Sequence, residues 1–295
     1  MIETSQLKCF VAVAEELHFG RAAARLNMTQ PPLSRQIQLL ERNMGCKVFR
    51  RTSRSVAVTE AGRVFLPEAR RILRLLENAQ RTARDISLGR GGVVRCGFTA
   101  ATAYRFLPAL IREMSDRIPG STLELREMVS LRQISALDTG ELEIGLLRPS
   151  PETHSHGGIL VAREKLVLAV PTGHPLASRE TARWRDLDNI DFVMYDPVEA
   201  KYFYDLLEHF ITVKRISPNI VHRLTQIHSI LSLVRAEVGV AIVPESARIM
   251  EISDVEYREF SYQSTPYAEL MMVWSKESQN PLVPAAVEVA KSLMD

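Results

Sequence analysis

A helical N-terminal third, one long amphipathic helix and an α/β remainder form the multidomain α and α/β organisation that this sequence predicts. Three observations predict it. Over residues 4–58, short apolar stripes at three- and four-residue spacing are broken by turn residues and followed by a small β pattern. Over 59–87 one apolar stripe continues without a turn signal. Beyond Gly92, β-branched runs alternate with helical patterns, as they do in layered α/β domains.

The chain has 295 residues, enough for two or three domains and a sizeable core. It contains no uninterrupted apolar run of roughly 18 residues, and Met1 to Phe10 lacks the basic-then-apolar order of a signal peptide. A cytoplasmic protein without a membrane partner is expected. Cys9, Cys46 and Cys96 are odd in number, widely spaced and without a CxxC pair, so they read as packing residues rather than a disulfide framework or zinc site. Residues 1–90 hold 16 Lys and Arg against 8 Asp and Glu, so a segment of +8 precedes a remainder of −6. Fourteen of the sixteen cations are Arg, whose planar fork suits phosphate and guanine edges.

The first helix is read from Leu7, Phe10, Val11 and Ala14, the second from Ala22, Ala23 and Leu26, and the third from Leu33, Ile37 and Leu40. Asn27, Met28 and Thr29 leave room only for a tight turn between the last two, which makes a helix-turn-helix. With Thr29 as N-cap, Gln30, Pro31 and Pro32 take the first three helical positions, whose N–H groups have no intrahelical acceptor. The prolines are tolerated there, and their fixed φ suits the first turn. Gln30, Ser34 and Arg35 then project opposite the apolar stripe, at the end that enters the major groove in such motifs. Gln matches adenine, Arg matches guanine, and proline rings can touch thymine methyls.

The stretch KVFRRTSRSVAVTEAG reads next as a β-hairpin, or wing, with Arg51, Thr52, Ser53 and Arg54 at its tip. Arg51 and Arg54 could reach phosphates, and Arg54 the neighbouring minor groove. Thr59 to Ser87 follows as a long helix: Phe65, Ala69, Ile72, Leu76, Ala79, Ala83 and Ile86 form its stripe, with Arg63, Arg70, Arg74, Arg81 and Arg84 on the other faces and Pro67 as a bend. Gly89 to Gly92 ends it with a hinge.

In this order AAARLNMTQPPLSRQIQLLE, FRRTSRSVAVTEAG and the long helix resemble the LysR-type bacterial transcriptional regulators. The PPLSRQIQ form is similar to the branch that includes the benzoate, catechol and chlorocatechol regulators. The resemblance implies a winged helix-turn-helix domain over 1–58, a linker and dimerisation helix over 59–89, and a two-lobed periplasmic-binding-protein-like effector domain over 90–295. Lobe I would comprise 90–161 and 267–295, and lobe II 162–266. It also implies partners: double-stranded operator DNA with an interrupted inverted repeat, a small-molecule effector, a second copy paired through Phe65, Ala69, Ile72, Leu76 and Ala79, a homotetramer, and RNA polymerase. No cofactor is implied.

Strands are expected at Val93 to Thr99, Leu123 to Val129 and Glu143 to Leu147, with helices at Arg105 to Arg117 and Arg132 to Thr139, in a parallel pattern. Further strands are expected near Leu166 to Val170, Phe192 to Tyr195, Ile220 to Arg223 and Val240 to Val243. The resemblance implies that Ala268 to Trp274 is a strand rejoining the first lobe and Asn280 to Met294 its last helix. ALDTGELEIGLL and LVRAEVGVAIVP suggest one helix-turn-strand motif used twice.

Ligands of such folds bind at the carboxyl ends of strands and the starts of helices. Thr99, Ala101 and Thr102 follow the first strand, and Ser130 with Gln133 forms an S-x-x-Q capping box after the second. The aromatic-compound branch usually carries a hydroxyl residue where Ala101 stands, a group Thr99 or Thr102 would have to replace. Arg148 is either a charged anchor or the partner of Glu127 or Glu143. Tyr195, Thr225, Gln226 and His228 occupy the matching ends of the second lobe, and Asp196 beside them admits a cationic or zwitterionic effector. No G-x-S-x-G, P-loop or GxGxxG is present, and the loop of His154 and His156 offers no further metal ligand. A non-enzymatic regulator is expected; a two-lobed small-molecule enzyme or a solute-binding protein is the alternative.

Overall fold

The computed structural model describes residues 1–51, 56–87, 92–261 and 266–294. The chain forms two compact units, residues 1–89 with 138–141, and residues 90–137 with 142–295.

In the first unit, α1 (Thr4–Glu16), α2 (Phe19–Arg25) and α3 (Gln30–Met44) enclose a core in which Phe10, Val13, Ala22, Leu33, Ile37 and Leu40 are fully buried. Asn27 takes the left-handed conformation, φ 53°, in the tight turn between α2 and α3. Thr29 is the N-cap of α3 with extended φ and ψ, but its hydroxyl caps nothing. An N-cap oxygen accepts from the second or third helical N–H, and here both positions are prolines. Strands β1 (Phe49–Arg51) and β2 (Val56–Val58) pair antiparallel, Arg51 opposite Val56. Arg51 therefore ends a strand instead of sitting at the tip; its side chain, with Thr52, Ser53 and Arg54, lies outside the described residues, as do Gly89, Arg90 and Gly91 of the hinge. The wing is tied to α3 by buried Glu41, which accepts from Val48 N–H at 3.2 Å, Phe49 N–H at 3.4 Å and Lys47 Nζ at 2.7 Å.

The helix α4 (Glu60–Ser87) runs through Pro67. Thr59 caps it, its Oγ1 accepting from Gly62 N–H at 3.0 Å and donating to the Lys47 carbonyl at 2.8 Å. Gly62 is needed for close approach, since a Cβ there would lie 2.4 Å from the Val48 carbonyl oxygen. Thr59→Ala is expected to cost about 1 kcal/mol, read as a lower midpoint in thermal unfolding. The α4 stripe divides in two. Phe65 packs on the Phe10 ring, centroids 5.2 Å apart, and Ala69 is fully buried, so both belong to the core of their own unit instead of a free dimerisation face. Ile72, Leu76 and Ala79 are exposed as expected, joined by Val64 and Leu75, which the spacing did not single out.

The second unit contains β3 (Val93–Phe98), α5 (Phe106–Arg117), β4 (Thr122–Glu127), α6 (Ser130–Asp138), β5 (Ile144–Leu147), β6 (Gly157–Pro171), β7 (Thr181–Ala182), β8 (Asp191–Tyr195), α7 (Lys201–Lys214), β9 (Asn219–Leu224), α8 (Ile227–Arg235), β10 (Ala241–Pro244), β11 (Val255–Phe260), β12 (Tyr267–Trp274) and α9 (Leu282–Ser292). Strands β4, β3 and β5 are parallel, as are β8 and β9. The sheet as a whole is mixed. Strand β12 lies antiparallel to both β5 and β6, and β10 and β11 lie antiparallel to β6. The fifteen residues of β6 pair with β12 over Gly157 to Lys165 and with β10 and β11 from Leu166 on. One continuous strand thus serves two cores, one around Cys96, Leu110, Ile144 and Ala286, the other around Val167, Val193, Leu231 and Ile242.

The repeated motif is present twice, α6 to β5 and α8 to β10. Each helix is followed by a left-handed residue, Gly140 at φ 68° and Glu237 at φ 60°. Glu143 pairs with Arg95, both buried, and not with Arg148: Arg95 Nε donates to Glu143 Oε2 at 3.0 Å and Nη2 to Oε1. Cys9 and Cys96 are buried packing residues, whereas Cys46 is exposed; burial pushes the Cys96 thiol up to about 12. No described helix is long and apolar enough to cross a membrane.

Candidate DNA interface and effector cavity

The first turn of α3 is held out by its own amphipathicity. Leu33, Ile37 and Leu40 are buried, so Thr29, Gln30, Pro31, Pro32 and Arg35 are exposed and Ser34 half-buried on the opposite side. Arg35 has no ion-pair partner among the described residues, whereas Arg25 and Arg70 are drawn onto Glu15 at 2.7 and 2.6 Å. The uncommitted guanidinium therefore stands at the helix tip.

A cavity of about 670 Å³ lies in the second unit. Thr99, Ala101, Ser130, Arg148, Thr225 and Gln226 line it. Its walls are largely apolar, from Met128, Val129, Leu131, Val198, Phe203, Leu206 and Ile227. Helices α6, α7 and α8 all begin on it, so the N–H groups of three first turns, which have no intrahelical acceptor, border the space.

Three expected residues are elsewhere. Thr102 is buried beneath the surface, its Oγ1 2.8 Å from Thr99 Oγ1. Tyr195 is the last residue of β8, a strand covered on both faces; it is 1% exposed and stacked on Phe203 at 4.7 Å, with burial raising its phenol. His228, in the first turn of α8, is exposed and outside the cavity lining. Asp196 is occupied as a turn acceptor: the N–H groups of Glu199 and Val198, both at 2.9 Å, hold its carboxyl below the usual range.

The S-x-x-Q capping box does not form, because α6 starts at Ser130 itself. Ser130 Oγ accepts from Arg148 N–H at 3.1 Å. Gln133, fully buried, donates from Nε2 to the carbonyls of Met128 at 3.0 Å and Leu146 at 3.2 Å. These bonds tie the ends of β4 and β5, whose following loops line the cavity. Arg148 lines it too, but its guanidinium is engaged with neither Glu127 nor Glu143. Nη2 bonds Glu164 at 3.0 Å, Nη1 bonds the Glu269 carbonyl at 2.9 Å, and the group lies 4.9 Å from the Phe203 ring centre. Glu164 in turn accepts from Ser246 N–H at 3.2 Å.

Sequence reasoning missed the α7 wall. Lys201, Tyr202, Phe203, Asp205 and Leu206 all line the cavity. Tyr202 hydroxyl accepts from Glu269 N–H at 2.8 Å, and Asp205 lies 2.8 Å from Lys201 Nζ and raises its pKa. The aromatic run in KYFYDLLEHF was the available signal.

Residues 4–63 match the bacterial regulatory helix-turn-helix protein family, lysR family, and residues 88–295 match the LysR substrate binding domain. The chain is 38% identical to the HTH-type transcriptional regulator AlsR of Bacillus subtilis (strain 168), over 98% of this chain and 95% of that one. It is 36% identical to the probable cat1 operon transcriptional activator of Acinetobacter lwoffii, over 87% and 85%. The solved structure of full-length CbnR complexed with its target DNA superposes with a TM-score of 0.78 at 28% identity, covering 99% of both chains. A matched head, a matched effector domain and full-length relatives of the same architecture establish that this chain belongs to the LysR family of DNA-binding transcriptional regulators, which are not enzymes.

Proposed function

We propose that this regulator senses a small organic acid with an apolar, aromatic-sized body. The observation that carries the proposal is a cavity bordered by three helix starts and walled by apolar side chains. The helix starts attract a carboxylate, and the walls shed water from the rest of the molecule. Because Arg148 is committed to Glu164, Ser130 and the backbone N–H groups at the start of α6 carry the acid-binding role. Thr99 and Ala101 at one wall and Thr225 and Gln226 at the other supply shape. An acid that prefers one arrangement of the lobes shifts the population of DNA-bound forms by a coupling of about 1–3 kcal/mol.

The test is a thermal-shift series on the full chain with benzoic, hydroxybenzoic and muconic acids, each beside its amide. An acid at about 100 times its dissociation constant is worth about 2.7 kcal/mol and raises the melting temperature measurably. Amides that work as well as acids, or no acid that works, would refute the acid reading.

The DNA side of the proposal places Gln30, Pro31, Pro32, Ser34 and Arg35 in the major groove, with Arg51 and Arg54 on the backbone or minor groove. Arg35→Ala is expected to relax base preference at one half-site position and to cost about 1–3 kcal/mol there. Selection from a randomised duplex pool checks it, and an unchanged preferred sequence would remove Arg35 from the readers. Exposed Ile72, Leu76 and Ala79 pair two copies through α4, two such dimers make the tetramer, and RNA polymerase is the further partner in the cytoplasm.

A further inference from the structure

The imidazole of His18 closes the start of α2. Its Nδ1 accepts from Gly20 N–H at 3.0 Å and from Arg21 N–H at 3.2 Å. A ring nitrogen that accepts these bonds carries no proton, so the neutral ring holds its hydrogen on Nε2. The ring is exposed, and Nε2 has no hydrogen-bond partner among the described residues. The end of the helix is thus already used, and what the surface presents is a donor held in a fixed orientation by the cap.

The location of that donor follows from Gly20. A Cβ built on Gly20 would lie 3.0 Å from His18 Cε1 and 3.9 Å from Gln30 Oε1. The ring and the first side chain of α3 therefore flank the same glycine, with Cε1 and Oε1 at most about 7 Å apart. When the start of a recognition helix enters the major groove, the helix before it crosses the sugar-phosphate backbone. The neighbouring cation does not compete for that position, since Arg21 Nη2 is turned back onto the Glu16 carbonyl at 2.5 Å.

We propose that His18 Nε2–H donates to a backbone phosphate of bound DNA, so that one side chain both caps α2 and fixes the register of α3 in the groove. It is a contact of position and carries no base information.

The experiment uses the full chain and fluorescence anisotropy with a labelled 30-base-pair duplex of mixed sequence, because a phosphate contact does not depend on base identity. His18→Asp keeps a good N-cap acceptor, removes the donor and sets a negative charge at the contact. Its melting temperature should equal or exceed the wild-type value, while its affinity for the duplex falls at least about tenfold. His18→Ala loses acceptor and donor together, and should lose both some melting temperature and about threefold to tenfold in affinity. His18→Asp binding within twofold of wild type would overturn the proposal, and so would a loss of affinity in His18→Asp that merely follows a lowered melting temperature. Failure of the wild-type protein to bind duplex would instead count against DNA binding by the head as a whole.

Discussion

Ile72→Glu combined with Leu76→Glu is expected to reduce the assembled protein to monomers. The two side chains are 47% and 41% exposed on a helix that spends Phe65, Leu66, Ala69 and Leu73 on the core of its own unit. Val64 and Leu75, 68% and 48% exposed, widen the same uncovered strip. Under the proposed pairing of two copies through this 28-residue helix, the second copy covers the strip. Two carboxylates placed in such an interface face desolvation worth several kcal/mol each without a partner. The substitutions sit on the surface of the folded unit, so they should leave its melting temperature nearly unchanged. Light scattering should report the monomer mass, and operator affinity should fall by orders of magnitude as two linked heads become independent. A wild-type mass for the double variant would remove α4 from the interface. Phe65→Ala makes the complementary case: it should lower the melting temperature of the head, because its ring packs on Phe10.

The division of that stripe shows what sequence could and could not reveal. Period alone marks Phe65, Ala69, Ile72 and Leu76 as one face, and they do share a face. Whether a given turn of that face meets α1 or nothing depends on where α1 ends, which is tertiary information. The head was otherwise legible because its signals are local. Two prolines at a helix start, an Asn in a left-handed turn and apolar residues at three- and four-residue spacing each act over a few residues. What remained hidden was that the same prolines leave Thr29 nothing to cap.

The effector domain was less legible because its decisive contacts are distant in sequence. Strand β6 is fifteen residues long, yet only Leu166 to Val170 read as strand, since Ala162 to Lys165 carry charges at a position where the strand changes partners. The second half of the strand pairs with β10 and β11, and the first half with β12, over 100 residues downstream. A parallel pattern inferred from alternating strands and helices gives no hint that β12, the strand the family resemblance returns to the first lobe, runs antiparallel to both β5 and β6. Tyr195 shows the same limit at one residue. A strand end suggests a binding position, but β8 is covered on both faces and its tyrosine is core. Ser130, Thr99, Thr225 and Gln226 do line the cavity, and the sequence could point to them because they follow directly from strand or helix ends. Glu164 was not, since nothing local links it to Arg148.

That ion pair carries the second large effect, because Arg148→Met should cost the effector domain about 3 kcal/mol of stability. Arg148 is 4% exposed and leaves behind a Glu164 side chain that is 23% exposed, so the loss lies at the low end of the range for breaking a buried pair. The Glu269 carbonyl loses its donor as well, and Phe203 loses the guanidinium over its ring. Glu164 would still hold Ser246 N–H, but with an uncompensated charge on β6, the strand that serves both cores. Adding Glu164→Gln removes that charge while keeping an acceptor for Ser246, and should restore a substantial part of the loss; urea unfolding of the wild type, both single variants and the double variant measures the coupling. If Arg148 were instead held in reserve as an anchor for an acid, Arg148→Met would leave unfolding unchanged and abolish the thermal shift given by the acid. Ser130→Ala separates the two roles further. It removes a single hydrogen bond to Arg148 N–H, worth about 1 kcal/mol, and so should weaken acid binding with a much smaller effect on unfolding than Arg148→Met.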